Sequence, residues 1–156
     1  MSFLLALGAV IVSAAVQAVL TGLWPGVARF FDLPLLVVIY YGITRGPAGA
    51  LLAGTFAGLL QDSLEGTLLG VSALSQAMVG YLVGILGLRF ALAPLMSRIL
   101  VLAAATVLAS SIEVGTLAIM GRKLSYSPFP ALLGNVLGNC LLGAPLMAAF
   151  RGESQQ

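Results

Sequence analysis

Long apolar runs separated by short polar turns dominate the chain, and the spacing of polar residues within them is helical. The first run, Phe3–Trp24, carries Ser13, Gln17 and Thr21 at i, i+4 spacing, so these side chains share one face. Crossing the hydrocarbon takes about 20 apolar residues as a helix, and this run suffices. Leu33–Ile43 is only half as long. It opens on Asp-Leu-Pro, with Asp32 placed as an N-cap and Pro34 in the first turn. Pro47–Leu64 follows a Thr-Arg-Gly-Pro turn, and Thr67–Leu88, Met96–Met120 and Pro128–Phe150 complete the set. The pattern predicts an all-α integral membrane protein: a compact bundle of six transmembrane helices, the second one short, in a single transmembrane domain over residues 1–156. A helix that short must tilt, thin the bilayer or sit inside the bundle. If it re-enters instead of crossing, five spans remain and the termini lie on opposite sides.

Composition agrees with this picture. Of 156 residues, 60% are hydrophobic and 8% charged, and the mean hydropathy is +1.12. A soluble domain carries about 25% charged residues to coat its surface, so the solvent here is mostly lipid. The net charge of +2 arises from scattered Lys and Arg without a basic run, which excludes nucleic acid as a partner. The chain has no His, and its one Cys, Cys140, lies in an apolar run. Neither an intrachain disulfide nor a metal site follows, and Cys140 reads as a small buried hydrophobe. The N-terminal stretch lacks a positive region and is too long for a signal peptide, so it reads as a retained first span.

With six spans and the N-terminus inside, Arg45, Arg89, Arg98 and Arg151 fall on the cytoplasmic side, and Arg29, Arg122 and Lys123 outside. Both termini are then cytoplasmic. Trp24, Phe30, Phe31, Tyr126 and Phe129 would form an outer aromatic belt.

That topology gathers the intramembrane polar groups in the outer half of the bundle. Gln17 on the first helix, Gln76 on the fourth, Glu113 on the fifth, and Asn135 and Asn139 on the sixth form the predicted cluster. A central acidic residue costs about 2.5–3.5 kcal/mol on insertion scales, so Glu113 should face the bundle and find donors. Gln17, Asn135 and Asn139 match its depth. Two readings stand side by side: a hydrogen-bonded network that fixes helix register, or a water-accessible pocket or partner cleft opening outward.

Small residues also form stripes. Ala50, Gly54, Gly58 and Asp62 succeed one another at i+4, and Gly80/Gly84 and Gly134/Gly138 repeat the spacing. Such faces admit another helix at close range. Gly54, Gly58, Asp62, Gly80, Tyr81 and Gly84 are therefore candidates for partner binding or for structure. Asp62 should point inward and cap the next helix or tie the hairpin, while Glu65, before Gly66, belongs to the outer loop. Paired carboxylates serve retaining glycosidases, but no soluble substrate cleft is expected here, and no catalytic residue is assigned.

The segment Asp32–Gly84 resembles the core of the rod shape-determining MreD family. The matching features are Asp32 and Pro34, Tyr40 and Tyr41, the Arg45-Gly46 turn, Gly58 with Asp62, Leu69-Gly70, and Gly80-Tyr81. The family's usual order of Pro before Asp is inverted here. The resemblance implies a non-catalytic scaffold of the cell-elongation complex in the bacterial inner membrane, without cofactor. It implies direct binding to MreC, and through it contact with RodA, the class B penicillin-binding transpeptidase and MreB, with membrane lipids around. It also implies a fold similar to the S component of energy-coupling-factor transporters. An actual vitamin-binding S component, docking through Ala14 and Ala18, is the alternative; an ion or lipid transporter built on Glu113 is a third reading.

Overall fold

The computed structural model describes residues 3–28, 30–89, 95–121 and 128–149. Of the residues used above, Arg29, Arg122, Lys123, Tyr126, Phe150 and Arg151 lie outside the described residues. The helices are α1 (Phe3–Leu23), the single-turn α2 (Pro25–Ala28), α3 (Leu33–Arg45), α4 (Pro47–Glu65), α5 (Val71–Arg89), α6 (Leu95–Ile119) and α7 (Pro128–Ala149). No strand occurs among the described residues, and the bundle is all-α as the apolar pattern predicts.

Each boundary has a local cause. Asp32 caps α3 by accepting from the Leu35 N–H at 3.1 Å, and Pro34 sits in the first turn, where its missing N–H costs nothing. Gly46 ends α3 and starts α4 at φ +86°, a conformation that disfavours a side chain. Gly66 closes α4 in the left-handed region at φ +65°. Two boundaries differ from the sequence reading. The single turn α2 fills the link after Trp24, and α5 begins at Val71 rather than Thr67, because Thr67 to Gly70 wrap around Asp62.

The short helix α3 occupies the middle of the bundle. Its 13 residues span about 20 Å at about 1.5 Å per residue, less than the hydrocarbon thickness of about 30 Å. It packs against α1, α4, α5, α6 and α7. Of the ways to accommodate a short helix, burial within the protein is therefore the one adopted. Leu35, Leu36 and Ile39 of α3 meet Val79 and Val83 of α5 and Leu102, Ala105 and Ala109 of α6 in the main core, with Cys140 packed against its edge.

Outward-facing surfaces are apolar. On α1 these include Ile11, Val12, Val16 and Val19; on α6, Leu100, Val107 and Leu108. An apolar exterior of this extent would be unstable in water and matches a lipid surround. Among the described residues, four stretches are long and apolar enough to cross a membrane: Leu4–Leu23, Pro25–Arg45, Val71–Arg89 and Met96–Ile119. Helix α4 is less apolar, since its inward face is built from glycine and alanine.

That inward face packs directly on α5. A Cβ on Gly54 would run into the Gln76 carbonyl, one on Gly58 into the Ala73 backbone, and one on Gly84 into Pro47. A Cβ on Gly80 would lie 2.6 Å from the Ala50 carbonyl oxygen. The two stripes thus face each other, backbone on backbone. Gly54, Gly58, Gly80 and Gly84 hold α4 to α5 and present no free face to a partner helix; Tyr81 is exposed. Gly134 and Gly138 of α7 admit Phe30 in the same manner.

Candidate functional site

The break between α1 and α3 leaves main-chain groups without helical partners, and in a membrane such groups must be satisfied from within the protein. Gln17 does this. Its side-chain amide donates to the Phe31 carbonyl at 2.9 Å and the Ala28 carbonyl at 3.2 Å, and its Oε1 accepts from the Leu33 N–H at 3.4 Å. Asn139, fully buried on α7, reaches the same link. Its Oδ1 accepts from the Asp32 N–H at 2.8 Å, while its Nδ2 donates to Asn135 Oδ1 at 3.0 Å and Thr106 Oγ1 at 3.3 Å.

These bonds answer where the donors for Glu113 are. Gln17 and Asn139 are engaged by the link, and Glu113 Oε1 instead accepts from the Ser75 hydroxyl of α5 at 3.0 Å. The expected pairing with Gln17, Asn135 or Asn139 is therefore corrected. Broken backbone competes successfully for an amide, because an orphaned main-chain group is costly. Gln76 lies deeper, fully buried; it donates to Gln61 Oε1 at 2.6 Å, and its own Oε1 has no partner among the described residues. Gln61 in turn donates to Glu65 Oε1 at 3.4 Å.

Asp62 is separate from this group in role. It is 1% exposed, and its Oδ2 accepts from the Gly70 N–H at 2.7 Å. Its Oδ1 accepts from the Thr67 hydroxyl at 3.2 Å and the Ser72 N–H at 3.3 Å. The carboxylate at the end of α4 thus ties the turn and caps α5, satisfying N–H groups that the first turn of a helix leaves open.

Because α3 starts low in the bundle, space remains above its amino end. A cavity of about 630 Å3 fills it. Gln17 and Thr21 line it from α1, Asp32 from the head of α3, and Gln61 and Glu65 from the end of α4. Ser110 and Glu113 of α6 and Asn135 of α7 close the opposite wall. Gln17, Glu113 and Asn135 therefore share one cavity, whereas Gln76 and Asn139 stand behind its wall as supports. The hydrogen-bonded network thus supports the wall of a cavity.

Gln61 and Thr106 escape the sequence pattern, whereas Ser75 lies among the polar residues of its helix together with Gln76. Ser75, Gln61 and Thr106 complete the network, and Asp32 belongs to the cavity as well as to the cap. Thr106 lies seven residues, two turns, before Glu113 on α6, so the same helical face could have marked it. Ser75 and Gln61 adjoin residues already singled out, Gln76 and Asp62.

Neither a curated protein nor a solved structure matches the chain, and the likeness to a transporter S component gains no support from comparison. The family model described as rod shape-determining protein MreD matches residues 1–151, nearly the whole chain. With the exterior apolar, the polar groups turned inward and that match in place, this multi-pass membrane protein belongs to the MreD family of rod shape-determining proteins.

Proposed function

We propose that this chain is a non-catalytic scaffold of the cell-elongation complex in the bacterial inner membrane. In this reading it binds MreC directly, and through MreC it meets RodA, the class B penicillin-binding transpeptidase and MreB, so helping to regulate peptidoglycan synthesis and cell shape. Its termini are cytoplasmic and its cavity end faces outward. The observation that carries the reading is the family match over residues 1–151. A scaffold also suits the chemistry of the polar groups, most of which are committed to holding the bundle's own backbone.

The partner's membrane helix needs a face that the bundle itself does not consume. The stripes of α4 and α5 are spent on each other, whereas α1 carries exposed small residues at Gly8, Ala15 and Gly22, with nothing within 4 Å of a Cβ at Gly8 or Gly22. Such a face lets another helix approach closely. Co-purification of the full chain with MreC in detergent tests the reading. Capture by the parent, weakened at least tenfold by Ala15→Leu in a chain of unchanged melting temperature, is the expected result. Absence of capture by the parent would sink the scaffold reading; undiminished capture by the variant would move the docking face elsewhere.

A further inference from the structure

The cavity above α3 has no part in the scaffold reading, yet its walls carry a consistent chemical bias. Small organic ligands occupy sites of about 300–1,000 Å3, mostly apolar with a few convergent polar groups, and this cavity of about 630 Å3 falls within that range. Three carboxylates line it from different elements: Asp32, Glu65 and Glu113. Asp32 is only 7% exposed; its Oδ1 accepts from the Leu35 N–H, and its Oδ2 has no hydrogen-bond partner among the described residues. Glu113 likewise engages Oε1 with Ser75 and leaves Oε2 without one among the described residues. No Lys or Arg lines the cavity among the described residues, and there none of the three carboxylates forms an ion pair. A buried carboxylate that keeps its charge is costly in a low dielectric, and a cation placed beside it offsets that cost.

The remaining wall narrows the cation further. Phe31 and Phe129 line the cavity, and aromatic ring faces attract ammonium groups while offering apolar surface to an organic body. Among the described residues, no group of three or more His, Cys, Asp or Glu is arranged to hold a metal ion. We infer that the cavity binds a small organic cation, with an ammonium group between Asp32 and Glu113 and an apolar body against Phe31 and Phe129. This site is independent of partner binding on the outside of the bundle.

The test uses the full chain purified in a maltoside detergent, with 2-phenylethylammonium as the probe. 2-Phenylethanol and 3-phenylpropionate serve as neutral and anionic controls. Calorimetric titration should give saturable binding of the ammonium and a rise in melting temperature, as for any ligand that binds only the folded state. Binding of both controls should be at least tenfold weaker. The double variant Asp32→Asn/Glu113→Gln keeps an acceptor for the Leu35 N–H and one for the Ser75 hydroxyl, and should weaken ammonium binding at least tenfold. Ala131→Phe fills the cavity without touching a carboxylate, and should abolish binding even if the double variant does not fold. No saturable ammonium binding, equal binding of the three probes, or binding unchanged in either folded variant would overturn the assignment.

Discussion

Asn139 of α7 accepts a hydrogen bond from the main-chain N–H of Asp32 at 2.8 Å, joining positions 107 residues apart at the head of the short helix α3. The bond is buried and does what a preceding helical turn would otherwise do. It also fixes the last helix against the central one, beside the cavity.

Replacing Asn139 by Leu should therefore be more damaging than the shared γ-branched shape suggests. The Asp32 N–H loses its acceptor, and Asn135 and Thr106 lose their donor. An orphaned buried polar group costs about 1–3 kcal/mol, so the melting temperature of the purified protein should fall by several degrees. Parent-like melting would show that α7 does not anchor the head of α3.

Asp62 should behave as a cap with more than usual weight. Asp62→Ala removes the acceptors of the Gly70 and Ser72 N–H groups and of the Thr67 hydroxyl. Loss of a helix cap costs about 0.5–2 kcal/mol, and bonds to a charged acceptor exceed neutral ones. Amide hydrogen exchange should accelerate first at Gly70 and Ser72. Asp62→Asn, which retains one acceptor oxygen, should fall between the parent and Ala.

The glycines divide into two groups that a substitution series can separate. Gly58→Ala drives a methyl into the Ala73 backbone and Gly84→Ala into Pro47, and neither backbone can give way cheaply. Overpacking of this kind costs about 1–3 kcal/mol or more. Gly8→Ala and Gly115→Ala, in α1 and α6, meet nothing within 4 Å and should be neutral or stabilising by up to about 1 kcal/mol, since alanine is the better helix former. Thermal melting of the four variants reads this directly, and equal losses in all four would contradict the α4–α5 packing.

Gln17→Leu should loosen the rim of the cavity. It strips partners from the Ala28 and Phe31 carbonyls and the Leu33 N–H while preserving bulk. A cost of about 1–3 kcal/mol for each orphaned group is expected, limited by whatever water enters. Cysteine-scanning accessibility at Phe31 should rise in the variant; an unchanged labelling rate would mean that the link holds itself together.

Much of the architecture was legible in the residues. Asp32 before Leu-Pro announces a helix start, Gly46 and Gly66 announce ends, and polar residues on separate helices converge once the helices alternate in direction. The pairing among those polar residues was less legible. Glu113 finds Ser75 rather than an amide, because Gln17 and Asn139 are drawn to the open backbone around Asp32. The open backbone results from an interruption of the helix whose geometry, including the turn α2, depends on the neighbours of Phe30 and Phe31.

Composition and periodicity alone determined that lipid surrounds this chain, where its helices run and which side of each is polar or small, since those properties belong to single segments. Tertiary structure alone decided which faces meet. It turned the glycines of α4 onto α5 instead of onto another protein, and it drew the shortest helix into the centre. The void above Asp32 follows from that placement. A repeat pattern gives the rotation of a helix about its own axis but not its neighbour or its depth, and both the carboxylate-lined cavity and the exposed face of α1 depend on those two quantities.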